Sequence, residues 1–142
     1  MKLARTALTA LLFAALCAGA GQVRAATLEV EVSGLPTQDG MVMIAVYDNA
    51  EAWMKKAVRG MMAKPLEGGK AVLRVENLPD GDYAISLLHD ANGNNKMDFN
   101  VLGIPTEAFG FSNNASGSFG PPKFEAARFT VKGDTVHRIS IN

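Results

Sequence analysis

Between Asp90 and Asp98 the chain reads Asp-Ala-Asn-Gly-Asn-Asn-Lys-Met-Asp, which puts oxygen-bearing side chains at alternate positions: Asp90, Asn92, Asn94 and Asp98. Lys96 completes the series through its main-chain carbonyl. A tightly coiled loop turns such a series inward around one centre, and carboxylate, amide and carbonyl oxygens are the donors that hard cations take. Calcium suits them best. In the loop of the helix–loop–helix calcium proteins the donors stand at positions one, three, five, seven through its carbonyl, nine and twelve. Asp90, Asn92, Asn94, Lys96 and Asp98 fill the first five of these. Two positions depart from that pattern. The sixth, where glycine makes the sharp turn, is Asn95, which accepts a left-handed backbone less freely than glycine does. The twelfth is Val101, so the acid that normally binds through both oxygens must come from elsewhere, and Glu107 is the candidate.

The same residues read in a second way. Asp and Asn side chains readily accept a hydrogen bond from the main chain two residues on, so successive Asx-turns order such a run without any metal. Both readings stand on the sequence. With two sure carboxylates the calcium site is expected to be weak, at about 10⁻⁴ to 10⁻³ M as in extracellular modules. When free calcium equals the dissociation constant, such a site adds only about 0.4 kcal/mol to stability.

Catalysis is the competing chemistry. His89, Asp90 and Ser112 are the residue types of a hydrolytic triad, but neighbours on a strand point to opposite faces, and neither Ser112 nor Ser116 sits in a nucleophile-elbow sequence. A hydrolase built on Asp98, Glu107 and His89 is the alternative that remains. With two histidines and no phosphate loop, the expectation is a protein that is not an enzyme, and no catalytic residue is assigned.

The elements that must position this run are strands. A basic lead (Lys2, Arg5), an apolar run from Thr6 to Ala20 and Val23-Arg24-Ala25 have the pattern of an export signal cleaved after Ala25, which points to the periplasm or the outside of the cell. The apolar core falls short of the roughly 20 residues a spanning helix needs. No membrane span is expected after cleavage. Cys17, the sole cysteine, lies within the signal, so residues 26–142 would fold without a disulfide. They form one domain by size, long enough to bury roughly two thirds of the unfolded surface. Their 11 basic and 14 acidic residues give a net charge of −3, which argues against nucleic acid and anionic membranes as partners.

Thr27–Val32 alternates in hydrophobicity, Gly40–Tyr47 is more continuously apolar, and turn residues between them predict a hairpin. Trp53, Met54, Ala57, Val58, Met61 and Met62 recur at helical spacing, predicting a short helix at Glu51–Val58 with the methionines as pliable core filler. Gly69–Glu76 and Asp82–His89 alternate again, and Glu125–Val131 and Thr135–Ile141 read as closing strands. The expected fold is all-β: a single antiparallel β-sandwich, transthyretin- or immunoglobulin-like, with one short helix and a long ordered loop. Residues 99–124 carry no evident element but hold five of the mature chain's six phenylalanines, Phe99, Phe109, Phe111, Phe119 and Phe124. That composition predicts rings anchoring the loop over one end of the sandwich. The rival is a Phe- and Gly-rich surface on which a protein, peptide or glycan ligand stacks.

Leu78-Pro79-Asp80-Gly81-Asp82-Tyr83, His89 to Asn94, Asp98 to Glu107, Gly110 to Asn114 and Gly120-Pro121-Pro122-Lys123-Phe124, in that order, resemble the exported bacterial family named domain of unknown function 2141. The resemblance spans essentially all of the mature chain. It implies a small periplasmic or secreted β-sandwich and brings no activity or catalytic residue with it.

Overall fold

A computed structural model describes residues 25–141; residues 1–24, read above as most of the export signal, lie outside the described residues. Eight strands form among the described residues: β1 (Ala25–Ser33), β2 (Met41–Tyr47), β3 (Arg59–Ala63), β4 (Ala71–Pro79), β5 (Gly81–Asp90), β6 (Phe109–Phe111), β7 (Phe129–Val131) and β8 (Thr135–Ser140). They make two sheets. One runs β4-β1-β8; the other runs β3-β2-β5-β6, with β7 also paired to β5.

The alternation seen in the sequence becomes the sandwich core. Leu28, Val30 and Val32 of β1 and Leu73 and Val75 of β4 face Val42, Ile44 and Val46 of β2 and Ile85 and Leu87 of β5, all of them buried. Each such side chain contributes about 1.5–3 kcal/mol on leaving water. The opposite face of β1 is wet. There Glu29 and Glu31 reach Arg74 at 2.8 Å and Arg138 at 2.7 Å, ion pairs exposed enough to add little.

Three expectations about the elements are corrected. β1 and β2 are not a hairpin, because they lie in different sheets. β1 pairs antiparallel with β4 (Val30↔Leu73) and parallel with β8 (Val32↔Ile139), so one pairing of the sandwich is parallel. The link crosses the end of the sandwich at Gly34 and Gly40, both at positive φ. A Cβ at either would fall 1.9 Å from a carbonyl oxygen, that of Ile141 for Gly34 and that of Asp90 for Gly40.

Glu51–Val58 does not form a helix. The Asn49 side chain accepts the Ala52 N–H at 2.8 Å and one turn closes on the Ala52 carbonyl, but Met54 inside it takes φ 58°, so no helix continues. The following residues become β3, an edge strand on β2 (Ile44↔Met61), where Met61 and Met62 are exposed, as is Met54 in the turn. These methionines are therefore not core filler. Glu125–Val131, expected as one strand, splits into a single helical turn α1 (Phe124–Ala127) and β7, because Phe124 and Ala127 both turn inward.

What draws them inward is a second apolar cluster on the outer face of the larger sheet. Tyr47, Trp53, Ala84, Phe111, Phe124 and Ala127 are buried there together. Trp53 meets Tyr47 edge-on at 4.9 Å and Phe124 at 6.1 Å, and its indole N–H donates to the Pro122 carbonyl at 2.7 Å. The long loop is thus pinned by two of its five rings, over a sheet face and not over the end of the sandwich. Phe99, Phe109 and Phe119 are exposed.

Candidate functional site

β5 ends on Asp90, which pairs with Met41 of β2, and the chain returns to β5 nineteen residues later in β6 (Leu88↔Phe109). The His89 N–H donates to the Ala108 carbonyl at 2.8 Å, so the antiparallel register continues past β6 and sets Glu107 opposite the start of the loop. Everything from Ala91 to Glu107 is an excursion with both feet clamped to β5.

Asp90, fully buried, organises the first half of that excursion. One carboxylate oxygen accepts the N–H groups of Gly93 at 2.8 Å and Asn94 at 3.1 Å, and the other accepts that of Asn95 at 2.7 Å. The Asn92 side-chain oxygen then accepts the Asn94 N–H at 3.0 Å, and the Asn94 oxygen accepts the Lys96 N–H at 3.1 Å. The every-second-residue spacing thus works as a relay in which each side chain folds onto the main chain two residues on. Gly93 (φ 74°) and Asn95 (φ 62°) supply the left-handed steps. Asn95 therefore does adopt the conformation that glycine takes at the sixth position of a calcium loop.

The second half closes on Asp98. Its carboxylate accepts the side-chain amides of Asn92 and Asn94, the latter at 2.8 and 2.9 Å to its two oxygens. Glu107 completes the ring: one oxygen accepts the Ala91 N–H at 3.1 Å and the other the Asp98 N–H at 3.3 Å. Asp90, Asn92, Asn94, Asp98 and Glu107 are therefore joined in one hydrogen-bonded assembly, with Lys96 attached through its N–H. The amides of Asn92 and then Asn94, with the Lys96 charge adding a smaller effect, hold the Asp98 carboxyl below its usual value of 3.8. That contribution to loop order is present above pH 3.8 and is lost as pH falls through the lowered value.

Among the described residues, no three His, Cys, Asp or Glu side chains are grouped so as to hold a metal by themselves. Any hard cation here would draw on amide oxygens as well as carboxylates. The asparagine oxygens keep a second lone pair beyond the one each gives to the main chain.

His89 and Ser112 have structural surroundings. The His89 ring is fully buried, and its Nε2–H donates to the Asp39 carbonyl at 2.8 Å; its Nδ1 has no hydrogen-bond partner among the described residues. The Ser112 hydroxyl accepts the Ile85 N–H at 2.8 Å and donates to the Ala127 carbonyl, a buried tie between β5 and α1. Two surface grooves, of about 650 and 330 Å³, lie along the edges of β3 and β4 and beside β1 and β8, and neither is lined by a residue of the loop assembly.

His137 carried no signal in the sequence and still organises the far side of the long loop. Its ring stacks on Phe129 at 4.0 Å and its Nε2 accepts the Asn113 N–H at 3.1 Å. Asn113 stands at φ 60° in the 3-10 turn Ser112–Asn114 and donates its own amide to the Arg128 carbonyl at 2.7 Å. Burial lowers the His137 pKa from its usual 6.5, so the neutral ring belongs to the folded state. Stability is then fully present above pH 6.5 and falls as pH drops through the lowered value. Melting measured from pH 8 down to pH 5 is expected to show this decline, and His137→Gln to reduce it, since glutamine still accepts the Asn113 N–H without taking a proton.

A model of a protein family described as "Uncharacterized protein conserved in bacteria (DUF2141)" matches residues 30–139, from within β1 to the penultimate residue of β8. No curated protein and no solved structure matches the chain. The matched span takes in both sheets, the Asp90–Asp98 relay, Glu107 and the aromatic cluster, and the chain accordingly belongs to this bacterial family of uncharacterized proteins, domain of unknown function 2141.

Proposed function

We propose that the chain is an exported, non-enzymatic binding domain that takes one calcium ion in the Asp90–Asp98 loop, with Glu107 as the acid closing the site. The return of Glu107 carries this reading: nine residues beyond Asp98, its two oxygens lie against the N–H groups of Ala91 and Asp98, at the two ends of the loop. A calcium loop lacking its twelfth-position acid needs one from just such a place. The side chains of Asn92 and Asn94 lie beside the Asp98 carboxylate, which gathers the three at one place; a cation there would displace the amide N–H bonds that Asp98 now accepts. The N-terminal signal pattern favours the periplasm or the cell exterior, where a site with a dissociation constant of about 10⁻⁴ to 10⁻³ M can fill. The recognised partner would be a protein, peptide or glycan.

The metal-free relay of Asx-turns is the second reading, and the main-chain bonds from Gly93 to Lys96 favour it directly. A hydrolase using Asp98, Glu107 and His89 finds less support, because the His89 ring is buried and its Nε2 is engaged by Asp39.

A thermal melt in rising calcium separates the readings. At ten times the dissociation constant the gain is about 1.4 kcal/mol, a rise of several degrees for a domain of this size. Asp98→Ala and Glu107→Gln are expected to remove most of that rise, whereas Lys96→Ala, which keeps the carbonyl, leaves it. If calcium moves neither the melting temperature nor the protease resistance of the loop in the unaltered protein, the relay alone holds the loop and the calcium reading is lost.

A further inference from the structure

Methionine stands in this fold where the outside of a sheet does not ordinarily carry it. β2 opens Met41-Val42-Met43, and β3 reads Arg59-Gly60-Met61-Met62-Ala63. Burial alternates along β2: Val42, Ile44 and Val46 enter the core, so Met41 and Met43 project from the outer face of the larger sheet. Residues directly opposite one another on paired strands share a face, and Met43 stands opposite Met62. Met61, opposite the buried Ile44, faces the other way.

Three thioethers therefore share one patch, those of Met41, Met43 and Met62. Their spacing suits a single ion. As direct cross-strand partners Met43 and Met62 hold their Cβ atoms about 5 Å apart, and the diagonal from Met41 to Met62 is about 7–8 Å. Met41 and Met43, two residues apart on one strand, are separated by about 7 Å. Three rotatable bonds in each side chain let the sulfurs turn to a common point above the sheet.

Packing does not account for the three. None of them belongs to either apolar cluster or packs against one, although Met41 and Met43 are half-buried; Met62 is 55% exposed. β3 is also an edge, which sheets ordinarily guard with charge or proline. The donor type names the ligand. Soft thioethers select copper(I), whereas calcium and magnesium take oxygen. The one cysteine is Cys17, so among the described residues there is no thiolate to favour zinc. Neutral sulfurs leave the charge of a bound ion uncompensated, and Asp90, opposite Met41 on β5, places a buried carboxylate on the same face.

We infer that Met41, Met43 and Met62 form a thioether site for one copper(I) ion on the outer face of β2 and β3. The three sulfurs lie outside the Asp90–Asp98 loop, and the site stands without the calcium reading.

The test uses the chain carrying Cys17→Ser, so that no thiol competes. It is titrated without oxygen, with copper(I) against a chromophoric chelator and with silver(I) as a redox-inert probe while the methionine methyl groups are followed by NMR. One equivalent is expected to bind, shifting the methyl signals of Met41, Met43 and Met62 and leaving that of Met61. Met43→Leu and Met62→Leu, close in volume, are expected to melt within a few degrees of the parent chain. Each should weaken copper(I) binding at least about tenfold, the smaller cost seen even for groups that only support a ligand. Met61→Leu, one residue away on the opposite face, and Met54→Leu, in the turn, are expected to bind normally, and excess calcium should not compete. Unchanged affinity in both Met43→Leu and Met62→Leu overturns the inference, as does an equal loss with Met61→Leu. So does the uptake of several ions with no methyl group favoured, or no uptake of either ion.

Discussion

Trp53→Ala is expected to destabilise the domain by about 4 kcal/mol, the cost of emptying a large aromatic site whose walls cannot close. The walls are the rings of Tyr47, Phe111 and Phe124 around a side chain that is 9% exposed. At this domain size the melting temperature should fall by about 15 °C. The loss has a local component, because the indole N–H holds the Pro122 carbonyl and with it the exit of the long loop. Cleavage between Ala115 and Pro122 should therefore accelerate more than the global loss of stability predicts. Trp53→Phe keeps most of the contacts and leaves the Pro122 carbonyl unpaired, for a smaller loss of about 1–2 kcal/mol. Calorimetry or circular dichroism must be used, since Trp53 is the sole tryptophan. A Trp53→Ala protein that melts within a few degrees of the original would mean that the second cluster is dispensable.

Asp90→Ala comes next, at about 3 kcal/mol. Three N–H groups, those of Gly93, Asn94 and Asn95, converge on a carboxylate with no exposed surface, and removing it strands the donors it served. Asn95 is the most sensitive of the three, because its left-handed backbone has only this bond to hold it against a preference for other conformations. Amide hydrogen exchange should speed up at these three positions far more than in β2 or β5. Asp90→Asn, which keeps one acceptor oxygen, should retain the bonds to Gly93 and Asn94 and lose about half as much. Unchanged exchange at Gly93 to Asn95 in the alanine variant would show that the loop is held by something other than Asp90.

Much of this was legible beforehand for one reason: a half-buried strand writes its two faces into the sequence as alternation. β1, β4 and β5 carried that imprint and were readable to within two or three residues. β3 carried none, because an edge strand exposed on both faces has no inside to mark, and Met61 and Met62 happened to fall at helical spacing from Trp53. Alternation also names a face and never a neighbour. The partners of β1 lie about forty and over a hundred residues away, so turn residues alone point to the nearer β2. Within the loop, the gap left by Val101 pointed to Glu107 on chemical grounds, and the register of β5 with the segment before β6 brings Glu107 there. Phenylalanine in a loop signals burial unless local hydrogen bonds hold it out, and Phe99 is exposed. The bonds that the Asn100 side chain accepts from Leu102 and Ile104 hold it out, and they depend on a turn geometry that residue types alone do not dictate.

The parallel pairing of β1 with β8 governs the order in which the molecule can be completed. The Thr27 N–H is held by the Asp134 side chain across 107 residues, and Leu28 through Ser33 lie beside Thr135 through Ser140. Contacts that far apart form late and slowly, because the whole intervening chain must first be drawn in. A polypeptide emerging from the ribosome would therefore keep its first strand half-partnered until the last has been synthesised. That delay keeps the chain unfolded for as long as its last strand is missing.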